Sequence, residues 1–427
     1  MVGRNAAPLL STALFALAVL AIAFATVAGA ARYVADSSID RHAVEYVDLV
    51  AALGVHSPES IDFHTRARPP GVVPGLADIA LRSRALADHI RDAHTVAPVA
   101  ADERDRARIL AAQLDAMETR IEQLSGRHVA FDDELRRMFG VEPPVAAPVS
   151  AADIHAELDK RLPGDGPLSV RLAKYRRRFM VPRGRLHDAV MKSIGLCRGQ
   201  TRRHLTLPDE ESIEVEYVTD KPWSGYSIYR GGYRSIMQVN RTLPLSVGDV
   251  LNLACHEGYP GHHVYNTLRE QHLVRKLGRT EATALLLFSP EGFRAEAVVS
   301  ATAAMAFSAD ERVRIFREEL FPLMGIDATD AELYVEIGDL VDQLTATTTP
   351  TLLRYLAGRA DRDVTTEALR ADALMEDPTG LLAYVDRFRG YSLAYTLGRS
   401  HFASVFTQAD GEHHRWSTFQ RIIRQQP

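Results

Sequence analysis

The chain has 427 residues, enough for two or three ordinary domains or for one large domain. Its composition, 46% hydrophobic and 25% charged, is typical of a folded globular protein and excludes collagen-like and largely disordered classes. Fifty basic and 55 acidic residues give a net charge of −5, so the composition argues against a nucleic acid partner. The two cysteines can form at most one disulfide.

The N-terminal segment differs from the rest of the chain. Residues 5–31 carry no charge and are mostly apolar. As a helix that rises about 1.5 Å per residue, this run can cross a hydrocarbon layer of about 30 Å. The small residues 28–30 are typical of a signal-peptidase site, but the run exceeds the roughly 7–15 apolar residues of most cleaved signals. We expect residues 1–32 to be a retained anchor or a cleaved signal, with the body outside the cytoplasm and this segment its only membrane contact.

From residue 33 onward the pattern is mainly helical. Residues 101–125 carry apolar side chains at three- and four-residue steps, as an amphipathic helix requires, and we expect them to form a helical hairpin with residues 75–96. The proline-rich stretch at 141–150 disfavours helix and is the best candidate boundary. We therefore distinguish a helical region, 33–150, from a second region, 151–427, which we expect to form one continuous domain with it.

Residues 213–240 are the exception to the helical pattern. The string IEVEYVT alternates polar and apolar positions, and SGYSIYRGGYRSIMQVN places a Gly-Gly pair between two segments rich in tyrosine, isoleucine and valine. This pattern predicts a hairpin in a small sheet within a mainly α fold. Such a sheet either covers the core or presents an edge that pairs with an extended peptide.

The string HEGYPGHH at 256–263 carries the strongest chemical signal. Ser246 can cap a helix that delivers His256 and Glu257 into an apolar setting. In the ordinary zinc-protease motif the two histidines lie at i and i+4, and the glutamate beside the first acts on water at the metal. Here position i+4 is Pro260. In a straight helix His263 would lie roughly 10 Å from His256 along the axis.

A straight helix cannot therefore bring two of these histidines to one ion, because ligand nitrogens around one zinc are only about 3–3.5 Å apart. Pro260 and Gly261 permit a bulge or break that returns a later histidine to the ion. We favour His262 as the second ligand, with His263 a close alternative.

A carboxylate would suit the third ligand position. Ser289 and Pro290 predict a helix start that places Glu291 in the first turn, either as a ligand or as a helix-capping residue. Glu296 lies about 140° further around the same helix, so the two carboxylates should not both face a metal. We take Glu291 as the leading candidate.

At these residues the chain resembles a known family. HEGYPGHH resembles the hallmark of the bacterial domain-of-unknown-function-885 family, and EGF at 291–293 is similar to its Glu-Gly-Trp element. The strings GYSIYRGGYRSIMQVN and AYTLGR at 394–399 also resemble that family. Val298 stands where the family has a second glutamate.

The resemblance implies a helical fold similar to thermolysin-like and Taq-type zinc carboxypeptidases. It implies that His256 and either His262 or His263 bind the metal, with Glu291 as the third ligand. It also implies that Glu257 is the general base and that Tyr395 is a candidate oxyanion donor, although Tyr395 can also be a core aromatic residue.

We therefore predict a hydrolase with one zinc ion per chain, most simply a peptidase that cleaves short peptides or chain ends by metal-activated water. Arg399 either receives a substrate carboxylate or is an ordinary exposed arginine. Two alternatives stay open. One is a membrane-tethered helical binding protein whose metal site is structural or inactive. The other is a metal-dependent hydrolase of a different amide or ester.

Overall fold

The computed structural model describes residues 39–66, 71–96, 101–142, 150–409 and 411–424. The predicted membrane segment at 1–32 lies outside these ranges. Within them, no helix is both long and apolar enough to span a bilayer. The fold is mainly α, as predicted, and contains two small sheets.

Helices account for most of the described chain. The N-terminal helices are α1 (Ile39–His56), α2 (Leu76–Val96), α3 (Ala101–Leu124) and α4 (Phe131–Phe139). The next three are α5 (Ala151–Arg161), α6 (Leu168–Arg177) and α7 (Leu186–His204). The helices around the string HEGYPGHH are α8 (Val247–Leu253), α9 (His262–Arg269) and α10 (Pro290–Ser300). The C-terminal helices are α11 (Thr302–Ala306), α12 (Ala309–Ile315), α13 (Phe321–Met324), α14 (Ala331–Leu356), α15 (Arg362–Asp372), α16 (Thr379–Phe388), α17 (Leu397–Thr407) and α18 (Glu412–Arg424).

The predicted helical hairpin is confirmed. Helices α2 and α3 begin and end within one residue of the expected bounds. Their apolar faces pack with α1 around Leu53, Ile90 and Leu114, all of which are buried. The charged residues between these positions lie on the outer faces, as the periodicity indicates.

The predicted sheet is also confirmed. It contains β2 (Ser212–Val218), β3 (Gly225–Gly231) and β4 (Arg234–Asn240), with β4 in the middle, parallel to β2 and antiparallel to β3. Gly231 and Gly232 have φ values of 75° and 62°, and this left-handed turn joins β3 to β4. Strand β3 is therefore an edge of the sheet.

A second sheet was not predicted. It pairs β1 (Ile61–His64) with β5 (Ala284–Leu286) in antiparallel register, with Ile61 opposite Leu286. The two strands are short and distant in sequence, so neither carries the alternation that identifies a strand.

The hydrophobic clusters join the two regions that we distinguished by sequence. One cluster combines α1–α3 with Ala284 and Leu286 of β5. Another combines Leu135 of α4 with Phe293 of α10 and with Leu393. Segments on both sides of the 141–150 stretch therefore share core side chains. The two cysteines, Cys197 and Cys255, are both buried and free.

Candidate metal centre

Helix α8 begins as predicted at Ser246. The Ser246 hydroxyl accepts a hydrogen bond from the Asp249 backbone N–H at 3.1 Å, and the Asp249 carboxylate accepts one from the Ser246 backbone N–H at 2.8 Å. This reciprocal cap fixes the start of the helix. After Leu253 the chain forms a wider, π-helical turn over Ala254–Gly258, which carries His256 and Glu257.

The predicted break follows this turn. The Tyr259-Pro260 peptide bond is cis, and the Gly261 backbone N–H donates a hydrogen bond to the Cys255 carbonyl at 2.8 Å. A Cβ atom at Gly261 would lie 1.8 Å from the His256 carbonyl oxygen, so only glycine permits this approach. The chain then re-enters a helix at His262.

The break brings His262 back to His256, with ring centroids 5.1 Å apart. Ligand atoms of His256, Glu257 and His262 all lie within 4.8 Å of one another. Glu296 lies between the two histidines: its Oε1 is 3.1 Å from His256 Nε2, and its Oε2 is 3.4 Å from His262 Nε2.

This arrangement fits a metal ion. The nitrogen-to-oxygen separations are close to the roughly 3–3.5 Å between neighbouring ligands of one zinc, and two imidazoles with one carboxylate are a common catalytic zinc set. The three side chains, those of His256, His262 and Glu296, are at most 14% exposed. Such a concentration of buried polar groups is costly unless something binds them.

Glu291 is placed elsewhere, which corrects our choice of third carboxylate. It forms an ion pair with Arg269 of α9, whose side chain is only 1% exposed. The two glutamates of α10 do point in different directions, as the helical angle requires, but Glu296 rather than Glu291 faces the histidines. A buried arginine needs a counter-charge, and Glu291 supplies it.

His263 is likewise turned away from the cluster. It is fully buried, its Nε2 lies 2.9 Å from Glu211 Oε2, and its Nδ1 lies 2.8 Å from Ser235 Oγ. Both ring nitrogens therefore already have partners. Burial raises the pKa of Glu211, but hydrogen bonds from His263, Tyr259 and two arginines outweigh this effect and lower it to about 2.

The pKa values of Glu257 and Glu296, the two carboxyls of the cluster, shift in opposite directions. Burial raises the pKa of Glu257, although His256 and His262 partly oppose it. Burial acts in the same direction on Glu296, but the two histidines hold the pKa of Glu296 well below its usual range. Burial lowers the pKa of His262, yet the hydrogen bond and charge of Glu296 raise it to about 9. A carboxylate that stays ionised suits a metal ligand, and one with a raised pKa suits a proton acceptor.

Tyrosines form one wall of the site. Tyr395, which sequence analysis singled out, stacks on the His256 ring with centroids 6.1 Å apart. Tyr391 and Tyr384, which it missed, lie close by: the Tyr391 hydroxyl donates a hydrogen bond to Glu296 Oε2 at 2.9 Å, and the Tyr384 ring meets Tyr395 edge-on. A hydrogen bond such as that from Tyr391 orients a ligating carboxylate. Burial raises the pKa of Tyr395 well above its usual range.

Asp62 of β1 is a further acidic group that sequence analysis missed. Burial and the nearby Glu296 and Glu257 raise its pKa to about 6, while His262 lowers it in part. The residue is far from the histidine string in sequence, and one acid in a four-residue strand gives no local signal.

A cavity of ≈ 590 Å³ opens onto the site. His256, Glu257 and Tyr395 lie at one part of its wall and the start of β3 at another. Among the described residues that line it, Arg399 is the only lysine or arginine, and its guanidinium pairs with Asp342 at 2.8 Å. Arg399 also lines a neighbouring cavity of ≈ 240 Å³.

Comparisons with known proteins give low structural similarity to two solved structures and assign no family. A candidate lipoprotein from Colwellia psychrerythraea aligns with 82% of this chain and 69% of its own, with a TM-score of 0.45 and 13% identity. A candidate lipoprotein of unknown function from Shewanella oneidensis aligns with 82% of this chain and 73% of its own, with a TM-score of 0.41 and 11% identity. No family model and no curated protein matches the chain. The resemblance to the family named above therefore stays a prediction from its motif.

Proposed function

We propose that the protein is a zinc-dependent hydrolase that acts on short peptides or chain ends. The observation that carries this proposal is the approach of His256, His262 and Glu296 beside a cavity, with Glu257 next to them. In the proposal these two histidines and Glu296 hold one zinc ion. When bound, zinc acts as a Lewis acid that activates water and polarises a substrate carbonyl.

Glu257 is the proposed general base. Its Oε1 lies 3.9 Å from His256 Nε2, and the Ser227 backbone N–H donates a hydrogen bond to its carboxylate. Because burial raises its pKa, it can accept a proton from water and then deliver that proton to the leaving amine. It is not assigned as a ligand, since Glu296 has the closer contact with His256.

Tyr395 is the proposed oxyanion donor. It lies over His256 at the cavity wall, and its raised pKa keeps its hydroxyl protonated at neutral pH. A fixed donor aimed at the developing negative charge stabilises the transition state of amide hydrolysis.

The cavity supports a small or chain-terminal substrate. Its volume is in the range of ordinary small-ligand sites, roughly 300–1,000 Å³. Gly225, at the start of edge strand β3, lies on its wall, and an unpaired strand edge can bind an extended peptide backbone. Arg399 is a suitable partner for a terminal carboxylate, since its planar guanidinium binds carboxylates through two hydrogen bonds.

A comparison of Glu257→Gln with the wild type tests this function. We expect one zinc per chain in both proteins by metal analysis, and a loss of peptide hydrolysis by about 10²–10⁴-fold in the variant, because only the proton acceptor is removed. Glu118→Gln is a matched control, since Glu118 is also a buried carboxylate but lies on α3.

Wild-type turnover by Glu257→Gln on a panel of short peptides would contradict the mechanism. The alternatives would then be a binding protein with a structural metal or a hydrolase that uses another site. Hydrolysis of esters or non-peptide amides in place of peptides would leave the residue roles intact and change only the substrate.

A further inference from the structure

One buried carboxylate holds both ends of the histidine loop. Tyr259 precedes Pro260, and His263 follows His262. The Tyr259 hydroxyl donates a hydrogen bond to Glu211 Oε2 at 2.5 Å, and His263 Nε2 lies 2.9 Å from the same oxygen. The two rings also meet edge-on, with centroids 5.0 Å apart. The three residues from Pro260 to His262 are therefore bracketed by two side chains fixed to one atom.

Glu211 is itself anchored to helix α7. Its other oxygen, Oε1, accepts hydrogen bonds from Arg198 and from Arg202, each at 2.7 Å. The Glu211 side chain is 0% exposed, whereas the arginine side chains are 42% and 45% exposed, so the carboxylate is shielded from water but its donors are not. Through these hydrogen bonds Glu211 holds the loop at a fixed position relative to α7.

The sheet supplies a second support for the same loop. Ser235 of β4 lies 2.8 Å from Nδ1 of His263, so this ring is fixed at both nitrogens, by Glu211 and by the serine. Rotation of the ring would break both contacts. The backbone of the adjacent His262 is consequently attached to a rigid frame made of α7 and β4.

We infer that Glu211 is a positioning residue for His262, and that it keeps this imidazole where it can share a metal with His256 and Glu296. The inference rests on the proposed function, because it takes His262 as a ligand. Glu211 touches neither the candidate ligands nor the cavity; it acts through Tyr259 and His263. Removal of a partner that bonds directly to a metal ligand typically weakens metal affinity by about 10–100-fold, and Glu211 acts one residue further out.

The test measures the dissociation constant of zinc alone, by competition with a chelator, for the full chain in its wild-type form and in variants. We expect Glu211→Gln to weaken zinc binding by up to about 10-fold, the lower end of the range for direct partners of metal ligands. Tyr259→Phe removes one of the donors without changing the ring, so we expect a smaller weakening in the same direction. Ser235→Ala gives a third, milder variant if Glu211→Gln does not fold.

Two controls separate positioning from general stability and from the ligand assignment. Glu118→Gln removes a buried carboxylate of the α2–α3 hairpin, and we expect an altered melting temperature with unchanged zinc affinity. His262→Ala should lose most zinc binding. Zinc affinities of Glu211→Gln, Tyr259→Phe and Ser235→Ala within twofold of the wild type, with His262→Ala defective, would overturn the positioning role and leave the proposed function standing. Equal weakening by Glu118→Gln would also overturn it. Wild-type affinity in His262→Ala would overturn both.

Discussion

The buried glutamates of this protein are distinguished by their partners. Glu291 and Glu211 face arginines, which close each of them into an ion pair. Glu296 faces two histidines instead, and imidazoles, unlike guanidinium groups, can bind a metal when they lose a proton. A buried carboxylate whose charged partners are histidines alone is therefore a candidate ligand. One that also faces arginine, as Glu211 does beside His263, is a structural counter-charge.

This distinction predicts opposite consequences for two substitutions on α10. Glu296→Gln should lose zinc, because it removes the charged oxygen donor between the histidines. Glu291→Gln should keep zinc but lower the free energy of unfolding by about 3–5 kcal/mol, because it leaves the buried Arg269 without its counter-charge. Metal analysis and urea unfolding of the two purified variants check this.

The reverse pattern, with zinc lost from Glu291→Gln and retained in Glu296→Gln, would restore the original sequence prediction. Each variant serves as the control for the other, since both change one carboxylate to an amide on the same helix. They differ in the residue that loses its partner, which is Arg269 in Glu291→Gln and the two histidines in Glu296→Gln.

At this scale the sequence predicted the residues of the string itself and, through the family resemblance, Tyr395. His256, Glu257 and His262 follow from the motif and from the break that Pro260 and Gly261 permit. Glu296 does not, because helical geometry separates it from Glu291 without saying which of the two faces the histidines. Which carboxylate does so depends on where Arg269 lies, and the burial of Arg269 is set by tertiary contacts that the local sequence does not show.

At the scale of elements, the break between α8 and α9 is the decisive feature. A π-helical turn carries the first histidine, and Gly261 allows the backbone to pass directly over it. Neither α8 with its π-helical turn nor α9 could by itself place both histidines. The geometry of one turn therefore determines whether the chain has a metal site at all.

Gly261→Ala should accordingly damage stability and metal binding together. The new Cβ would collide with the His256 carbonyl, and forced backbone shifts of this kind cost about 1–3 kcal/mol or more. Gly195→Ala is the matched control on α7, where an added Cβ meets nothing within 4 Å. There we expect a gain of up to about 1 kcal/mol from helix propensity.

Thermal unfolding and zinc analysis of both alanine variants provide the measurement. A Gly261→Ala protein with wild-type zinc content and stability would show that the loop can adopt another path to the same site. The sequence predicted that the helix is interrupted near Pro260 and Gly261, because proline and glycine have known effects on helices. It did not predict that a π-helical turn precedes the interruption. It also failed to predict β1 and β5, since their pairing is set by distant contacts.

At the scale of the whole molecule, the site is built from segments spread along the chain. Asp62 belongs to β1, the histidines to the π-helical turn and α9, Glu296 to α10, and the tyrosines to residues 384–395. The shared hydrophobic clusters explain why these segments can meet. No single stretch of sequence contains the site, which is why motif-based prediction recovered it only in part.

The N-terminal segment predicts that the rest of the protein lies outside the cytoplasm. Residues 1–32 lie outside the described ranges, and the prediction rests on their uncharged apolar run. A fusion of residues 1–60 to a reporter that is active only outside the cytoplasm should be active. A matched fusion with two arginines introduced at positions 16 and 20 should not be, because charges in the apolar run oppose insertion. N-terminal sequencing of the mature protein distinguishes an anchor from a cleaved signal.

Activity of a cytoplasm-dependent reporter on the same fusion would contradict this location. It would leave the site chemistry unaffected, since no residue of the candidate metal centre lies in the N-terminal segment.

The pairing of β1 with β5 has a consequence for biosynthesis. His64 pairs with Ala284, so a ribosome that adds roughly 5–20 residues per second completes β1 about 11–44 s before its partner exists. During this interval the backbone groups of β1 that later bond to β5 lack that partner, and an unpaired strand edge is prone to join the wrong chain. Asp62 lies in β1 and therefore in the strand that is made before its partner. The candidate metal centre is completed later still, since Glu296 follows β5, so a nascent chain that stalls before residue 296 lacks one of its proposed ligands.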